Sequence, residues 1–410
     1  MSPQIEVHPD RWLSIVGIGE DGWEGLNAQA KDAVASARVL YGGGRHLALV
    51  PEGPATRLCW PSPMGPAVEQ IVTEHRGRTQ VTVLASGDPM LYGVGVTLTR
   101  NLDPGEFRVF PQPSAQSLAC ARLGWPVADT TLISLVHRPL EQLHRFLFPG
   151  ERLILYSEDG FSPTLIAKTL QQSGFSASQM TVFERLAGPC EHRFDQVAGL
   201  WEDRRCDDLN VVAVLCKAVA GSRTLSPVPG LPDDAFNTDG QLTKREVRAA
   251  TLARLAPLPG QTLWDVGAGT GSIAIEWMRV HRSCSATAFE AEPPRADRIR
   301  VNANKLGVPE LRVVQGKAPA TFAGLEPPDA IFIGGGLTAE IFAACWASLP
   351  AGGRLVVNAV TITSEAMLAS LHTTHGGDLV RILVARAAPV GTAQGWRPLM
   401  PITQWSVVKP

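Results

Sequence analysis

An apolar run, Leu263-Trp264-Asp265-Val266, passes directly into glycines at alternate positions (Gly267, Gly269, Gly271) and then into the amphipathic run Ser272-Ile273-Ala274-Ile275-Glu276-Trp277. A strand that turns this tightly into a helix needs residues without a Cβ, and such a turn brings backbone N–H groups against a ligand. A second apolar run, Ala286-Thr287-Ala288-Phe289, ends at Glu290. An acid at that strand end can accept both ribose hydroxyls of an adenosine-containing cofactor. The spacing differs from the GxGxxG fingerprint that leaves room for a pyrophosphate, which makes NAD the weaker candidate. A purely structural strand–turn–helix is the bland alternative, and the acidic strand end weighs against it.

The chain has 410 residues, too many for one core, so two domains are expected. A net charge of −2 gives no general field for nucleic acid, and an anionic substrate has to be met by local Arg and Lys clusters. The seven cysteines are scattered with no CxxC pair, so no metal site and no disulfide scaffold is expected, and the compartment is read as reducing cytoplasm. The N-terminus lacks a basic n-region with an apolar h-region, and no run is long enough for a membrane span. The ten tryptophans and an apolar C-terminal half leave room for a subunit interface, and a homo-oligomer is expected.

In chain order, Leu13-Ser14-Ile15-Val16-Gly17-Ile18-Gly19 reads as a strand entering a glycine turn, and residues 28–40 show helical spacing up to Tyr41-Gly42-Gly43-Gly44. Residues 80–85 form a buried strand broken by Ser86-Gly87-Asp88-Pro89, residues 93–98 open a helix, and residues 107–110 form a short strand. Ser114-Ala115-Gln116-Ser117 caps a helix that runs to Leu123. This βαβα order implies a mostly parallel sheet with ligands at its strand C-termini. A second group follows: strands at 151–156, 179–184 and 210–216, and a helix at 162–173 with Pro163 in its first turn.

Residues 223–238, rich in Pro and Gly, read as a linker between domains at 1–222 and 239–410. Thr243 as N-cap with Glu246 makes a capping box for a helix reaching Leu255. Lys244, Arg245 and Arg248 crowd the positive end of that helix, a conflict that an anionic ligand would resolve. Strands at 311–314, 328–333 and 353–360 follow, with a helix at 295–306. Gly334-Gly335-Gly336 after the fourth strand offers space rather than a side-chain base, which disfavours methylation of an exocyclic amine.

The Asp265–Gly271 loop resembles motif I of the S-adenosylmethionine (SAM) methyltransferases with a Rossmann-like fold. That resemblance implies that Asp265, Gly267, Ala268, Gly269 and Gly271 wrap the amino-acid end of SAM, that Glu290 holds its ribose, and that Lys317 and Ala318 lie against adenine, with Thr243, Gly334 and Gly335 also cofactor-binding. Val16-Gly17-Ile18-Gly19, Ser86-Gly87-Asp88-Pro89, Pro113-Ser114-Ala115-Gln116-Ser117, Leu153-Ile154-Leu155-Tyr156 and Asn210-Val211-Val212-Ala213 resemble the tetrapyrrole (precorrin/corrin) methylase family. Here the implied fold is two α/β subdomains with SAM in their cleft, beside Gly17, Gly87, Asp88 and Pro89 on one side and Ser114, Ala115, Gln116 and Ser117 on the other. Gly19 is followed by Glu20-Asp21-Gly22 rather than by the Pro-Gly-Asp common in that family.

Both halves together, with Val136-His137-Arg138-Pro139 and Leu242-Thr243-Lys244-Arg245, resemble the decarboxylating precorrin methyltransferases of aerobic cobalamin biosynthesis. The resemblance implies one SAM per domain. It places methylation of meso carbon 5 in the N-terminal domain, and methylation of meso carbon 15 with loss of the ring C acetate carboxyl in the C-terminal one. His137 and Arg138, and Lys244, Arg245 and Arg248, are the candidates for holding substrate carboxylates. His192, Arg193, Arg204 and Arg205 read as solvated surface charges. A methyltransferase for another small molecule or tRNA, and a non-catalytic SAM- or tetrapyrrole-binding scaffold, are the alternatives.

Overall fold

A computed structural model describes residues 11–410, so the N-terminal stretch read for a targeting segment lies outside the described residues. The chain divides into two compact units. Unit 1 holds the residues up to Arg138 together with Phe148–Ser222, and unit 2 holds Pro139–Leu147 together with Arg223–Pro410.

Unit 1 contains two sheets. The first is built from β1 (Leu13–Ile18), β2 (Val39–Gly42), β3 (Thr56–Cys59), β4 (Val81–Ser86) and β5 (Phe107–Phe110), in the order β3-β2-β4-β1-β5. All its pairings are parallel, as the alternation of strand and helix in the sequence implies. Apolar clusters cover both faces, one around Ile15, Ile71 and Val83 and the other around Val16, Leu40 and Leu84. The helix expected over 28–40 ends at Ala35 instead, and Val39-Leu40-Tyr41 is strand. There Leu40 and Tyr41 are buried between β3 and β4, and the ladder outweighs the local helical spacing.

The second sheet comprises β6 (Thr131–Ser134), β7 (Arg152–Tyr156), β8 (Gln179–Glu184), β9 (His192–Val197) and β10 (Asn210–Leu215), in the order β6-β7-β10-β8-β9. Only β6 and β7 are parallel. The expectation of surface charge at His192 and Arg193 meets strand β9, where His192 faces Glu184 at 3.2 Å and Arg193 faces Asp195 at 2.7 Å.

Unit 2 is built on one seven-stranded sheet. Its strands are β11 (Thr262–Val266), β12 (Ser285–Glu290), β13 (Arg312–Gln315), β14 (Ala330–Ile333), β15 (Arg354–Ala359), β16 (Asp378–Ile382) and, beyond a hairpin of β17 (Ala385–Val390) and β18 (Ala393–Pro398), β19 (Ile402–Val408). The order is β13-β12-β11-β14-β15-β19-β16, parallel from β13 to β15 and antiparallel on both sides of β19. The glycine loop leads into helix Ser272–Val280, which is buried along its length.

Part of the segment read as a linker belongs to this core: Leu231 and Phe236 pack with Leu252, Trp277 and Leu306. The expected capping box does not form. Helix Arg245–Leu255 has Lys244 as its N-cap with no side-chain cap bond, and Thr243 lies outside the helix, where its carbonyl accepts from Arg248. Among the described residues no helix is long and apolar enough to cross a membrane, and no group of three or more His, Cys, Asp or Glu is placed to hold a metal ion.

Candidate active sites

In unit 2 the C-terminal ends of β11, β12, β14 and β15 meet at a cavity of about 950 Å³. A parallel sheet gathers its loops there, and ligands bind where strand order reverses on either side of the first strand. Gly267, Gly269 and Gly271 all have positive φ, at 70°, 58° and 74°. Two of them are needed for packing. A Cβ on Gly267 would stand 2.7 Å from the Gly335 carbonyl, and one on Gly271 would stand 2.7 Å from Ile299. Gly269 differs, since a Cβ there meets only the Gln241 carbonyl at 4.0 Å and would project into the cavity.

Four backbone N–H groups of this loop, those of Gly267, Ala268, Gly269 and Gly271, are already used. Gly267 and Ala268 donate to Phe289 O at 3.0 and 3.1 Å, and Gly271 donates to Ala268 O at 2.8 Å. Gly269 donates to Glu290 Oε2 at 2.8 Å. The loop therefore offers shape and a buried carboxylate rather than a nest of free donors. That suits an adenosine ligand without phosphates, as SAM is, and not a dinucleotide. Asn302, fully buried, holds the loop by donating to Thr270 O at 3.0 Å; sequence reasoning passed over it because an Asn inside a helix carries no motif.

Thr243, Lys244, Gly267, Ala268, Gly269, Glu290, Lys317, Ala318, Gly334 and Gly335 all line the cavity. Asp265 is not in the lining; it is 1 % exposed, with Oδ2 accepting from the Ala274 N–H at 3.1 Å and Oδ1 without a partner among the described residues. Burial, with the Glu290 charge adding to it, pushes its carboxyl up to about 7. Gly271 lies one turn further on, against Ile299.

Arg248 is a correction. It is 0 % exposed and cannot meet a substrate. Its Nε donates to Glu276 Oε1 at 2.5 Å, Nη1 lies 3.3 Å from Asp233, and Nη2 donates to Leu231 O. Glu276 also accepts from the Gly230 and Leu231 N–H groups. The Arg248 charge is thus met inside the protein, with no ligand required. Arg245 is exposed and is not part of the cavity wall, which leaves Lys244 as the one of the three that faces it. Arg295, not foreseen, lines the cavity but is held by Asp239 at 2.9 Å.

In unit 1 a narrower cleft, about 90 Å³, lies between the two sheets. Gly87 (φ 54°) and Ala115 line it. Gly17, Asp88, Pro89, Ser114, Gln116 and Ser117 are not among its lining residues. A Cβ on Gly17 would be 1.9 Å from the Gly87 carbonyl, so this glycine lets two loops touch. Asp88 caps its own turn through Met90 N–H at 2.9 Å, Ser114 accepts from Ser117 N–H at 3.1 Å, and Gln116 N–H donates to the Tyr156 hydroxyl at 3.1 Å. A Cβ on Gly93 would meet the Pro89 carbonyl at 2.5 Å, so Pro89 packs under the following helix.

His137 and Arg138 do not line the cleft. His137, at φ 53°, has its ring 2.9 Å from Glu158 Oε1, and its backbone N–H donates to Oε2 of the same carboxylate. Arg138 stacks its guanidinium 4.8 Å from the Tyr92 ring. The polar side chains that do line the cleft are Glu20, Arg45, Ser86 and Asn210; Glu20, Ser86 and Asn210 stand in stretches quoted from the sequence without a role of their own, and Arg45, which follows three glycines, was passed over.

Two family models match the chain: tetrapyrrole (corrin/porphyrin) methylases over residues 13–199, and the precorrin methyltransferase domain over residues 234–409. A precorrin-6Y C(5,15)-methyltransferase [decarboxylating] of a Sinorhizobium species is 48% identical over 402 residues, covering 97% of this chain and 96% of that protein. The protein of the same name from Mycobacterium tuberculosis is 44% identical, covering 97% and 100%. A cobalt-precorrin-6B C(15)-methyltransferase (decarboxylating) of Salmonella typhimurium is 33% identical over 170 residues, 39% of this chain and 85% of that protein. The crystal structure of the C-terminal domain of precorrin-6Y C5,15-methyltransferase from Rhodobacter capsulatus is 45% identical, covers 45% of this chain and all of its own, and superimposes with a TM-score of 0.44.

Proposed function

The chain belongs to the precorrin-6Y C5,15-methyltransferase (decarboxylating) family of cobalamin biosynthesis, and from that premise we propose that its two units each bind one SAM and divide the chemistry between them. Unit 1 methylates meso carbon 5, and unit 2 methylates meso carbon 15 and removes carbon dioxide from the ring C acetate. The observation that supports this most is the unit 2 cavity, whose glycine loop and buried Glu290 fit a phosphate-free adenosine cofactor and leave room beside it. The Salmonella protein, named only for carbon 15 and decarboxylation, matches 39% of the chain, about the share of one unit.

SAM supplies an electrophilic methyl group to a nucleophilic meso carbon. The residues of the chain have mainly to align the two, and alignment of this kind gains up to ~7–11 kcal/mol. In unit 2, Glu290 holds the ribose hydroxyls and Gly269 keeps the floor clear. Lys244 grips a substrate carboxylate at the cavity mouth. Val360, Val384, Leu399, Met400 and Ile402 give the rest of that mouth an apolar wall, where the acetate carboxylate loses hydration and departs more readily as carbon dioxide, its C–C bonding pair passing into the conjugated macrocycle and a proton completing the methyl group left behind. In unit 1, Gly87 and Ala115 form the wall against which the cofactor rests.

The reducing cytoplasm is the proposed location, consistent with seven free cysteines. We infer a homo-oligomer from the exposed apolar hairpin, where Trp396 is 77% exposed.

The test uses the full chain with methyl-labelled SAM and the precorrin substrate, with methylated carbons assigned by NMR. Gly269→Val should abolish label at carbon 15 and carbon dioxide release while carbon 5 is still methylated. Gly87→Val should do the reverse. Loss of both methylations in either variant, with the fold intact by circular dichroism, would refute the division.

A further inference from the structure

The walls of the unit 1 cleft are mostly apolar, formed by Ile18, Leu118, Phe183, Leu186, Leu209 and Val211. Among its described lining residues Arg45 is the single cation. Asn210, the nearest polar alternative, is saturated. Its Oδ1 accepts from the Ser157 hydroxyl at 2.6 Å, and its Nδ2 donates to the carbonyls of Asp159 and Asp207 at 3.0 and 2.8 Å.

Arg45 is held from several sides. Nη1 donates to Glu20 Oε1, and Nη2 reaches the Ser86 hydroxyl at 2.9 Å and His46 Nε2 at 2.8 Å. Because a guanidinium only donates, His46 Nε2 accepts, and the imidazole is neutral with its proton on Nδ1. Burial first, and the Arg45 charge second, lower His46 to about 4, so it orients Arg45 without adding a competing charge. Ser86 Oγ lies 2.8 Å from the same Nε2 and completes the set. Glu20 is steadied in turn by Arg185, 3.5 Å away. The Arg45 side chain keeps 34% exposure, and its Nε–H and one N–H of Nη1 have no partner among the described residues.

A cation fixed in place by Glu20, Ser86 and His46 on a mostly apolar wall, with donors to spare beyond those partners, matches a carboxylate carried on an apolar body. We propose that Arg45 anchors a peripheral carboxylate of the precorrin in the unit 1 cleft, with Glu20, Ser86 and His46 as positioning residues for its guanidinium. This rests on the reading that unit 1 methylates the precorrin from that cleft. It assigns to Arg45 the part that His137 and Arg138, outside the cleft, were nominated to play.

The experiment measures KM for the precorrin separately for the carbon 5 and carbon 15 methylations in the full chain, together with calorimetric SAM binding and thermal stability. Arg45→Met should raise KM for the carbon 5 step by ~10–100-fold. SAM affinity and the carbon 15 step should not move. Arg45→Lys should recover part of the loss, and Glu20→Gln should show a smaller rise in the same KM. An unchanged carbon 5 KM in Arg45→Met, with Gly87→Val still abolishing that methylation, would overturn the anchor and leave the division of labour standing. A fall in kcat and melting temperature without a change in KM would reduce Arg45 to a structural residue and also overturn it. A rise in KM at carbon 15 instead of carbon 5 would overturn both the anchor and the assignment of unit 1.

Discussion

Arg248 and Glu276 form an ion pair with both side chains at or below 1 % exposure, and the pair ties the Gly230-Leu231 backbone to helix Ser272–Val280. Removing one partner leaves a buried charge unmet, so Arg248→Met should cost about 3–5 kcal/mol in denaturant unfolding of unit 2. A variant of ordinary stability with a raised precorrin KM would instead return Arg248 to the substrate. Asp265 titrates in the opposite sense from a paired carboxylate. Its folded pKa, about 7, lies above its unfolded one, so the protein binds the extra proton only when folded. The stabilisation is complete below pH ~4 and is lost as pH rises towards 7. Asp265→Asn should therefore gain stability relative to the parent as pH goes from 5 to 7, measured as the difference in urea midpoint; a constant difference would show that Asp265 is ionised throughout. Gly269→Ala should weaken SAM binding at least tenfold in calorimetry at a stability cost of only ~1 kcal/mol, because its new methyl projects into the cavity rather than into packed protein.

Elements whose signals are local were legible from sequence. Ser114 accepts from Ser117 N–H and starts helix Ala115–Leu123, so Ser114→Ala should cost about 1 kcal/mol in chemical denaturation of unit 1; no loss would mean the cap is redundant. The glycine loop with its acidic strand end was legible for the same reason, since turn chemistry is written in adjacent residues. Val39-Leu40-Tyr41 was not, because its strand state is set by β3 and β4, which come later in the chain. The Thr243 capping box does not form because the helix starts one residue later, with Lys244 as N-cap, while the Thr243 carbonyl accepts from the buried Arg248 that Glu276 holds, a contact no local pattern announces. Strands β16 and β19 escaped notice because each is held by a partner far along the chain, β19 lying antiparallel between β15 and β16.

At the scale of the whole molecule, family and chemistry were readable because two different glycine-rich loops occur on one chain in a specific order. The cations at the sites were not readable: three Arg and Lys neighbours in sequence proved to be one cavity residue, one surface residue and one core residue. In unit 1 the cleft cation came from a segment that carried no functional signal beyond its glycines. The two units carry unlike cavities, about 950 and about 90 Å³, and the proposed division of the two methylations meets its harder test at the smaller one. Calorimetric titration of the ligand-free full-length protein with SAM at saturation tests this most directly. Two molecules bound per chain are expected, falling to one in Gly269→Val; a single molecule bound by the unaltered protein would contradict two cofactor sites.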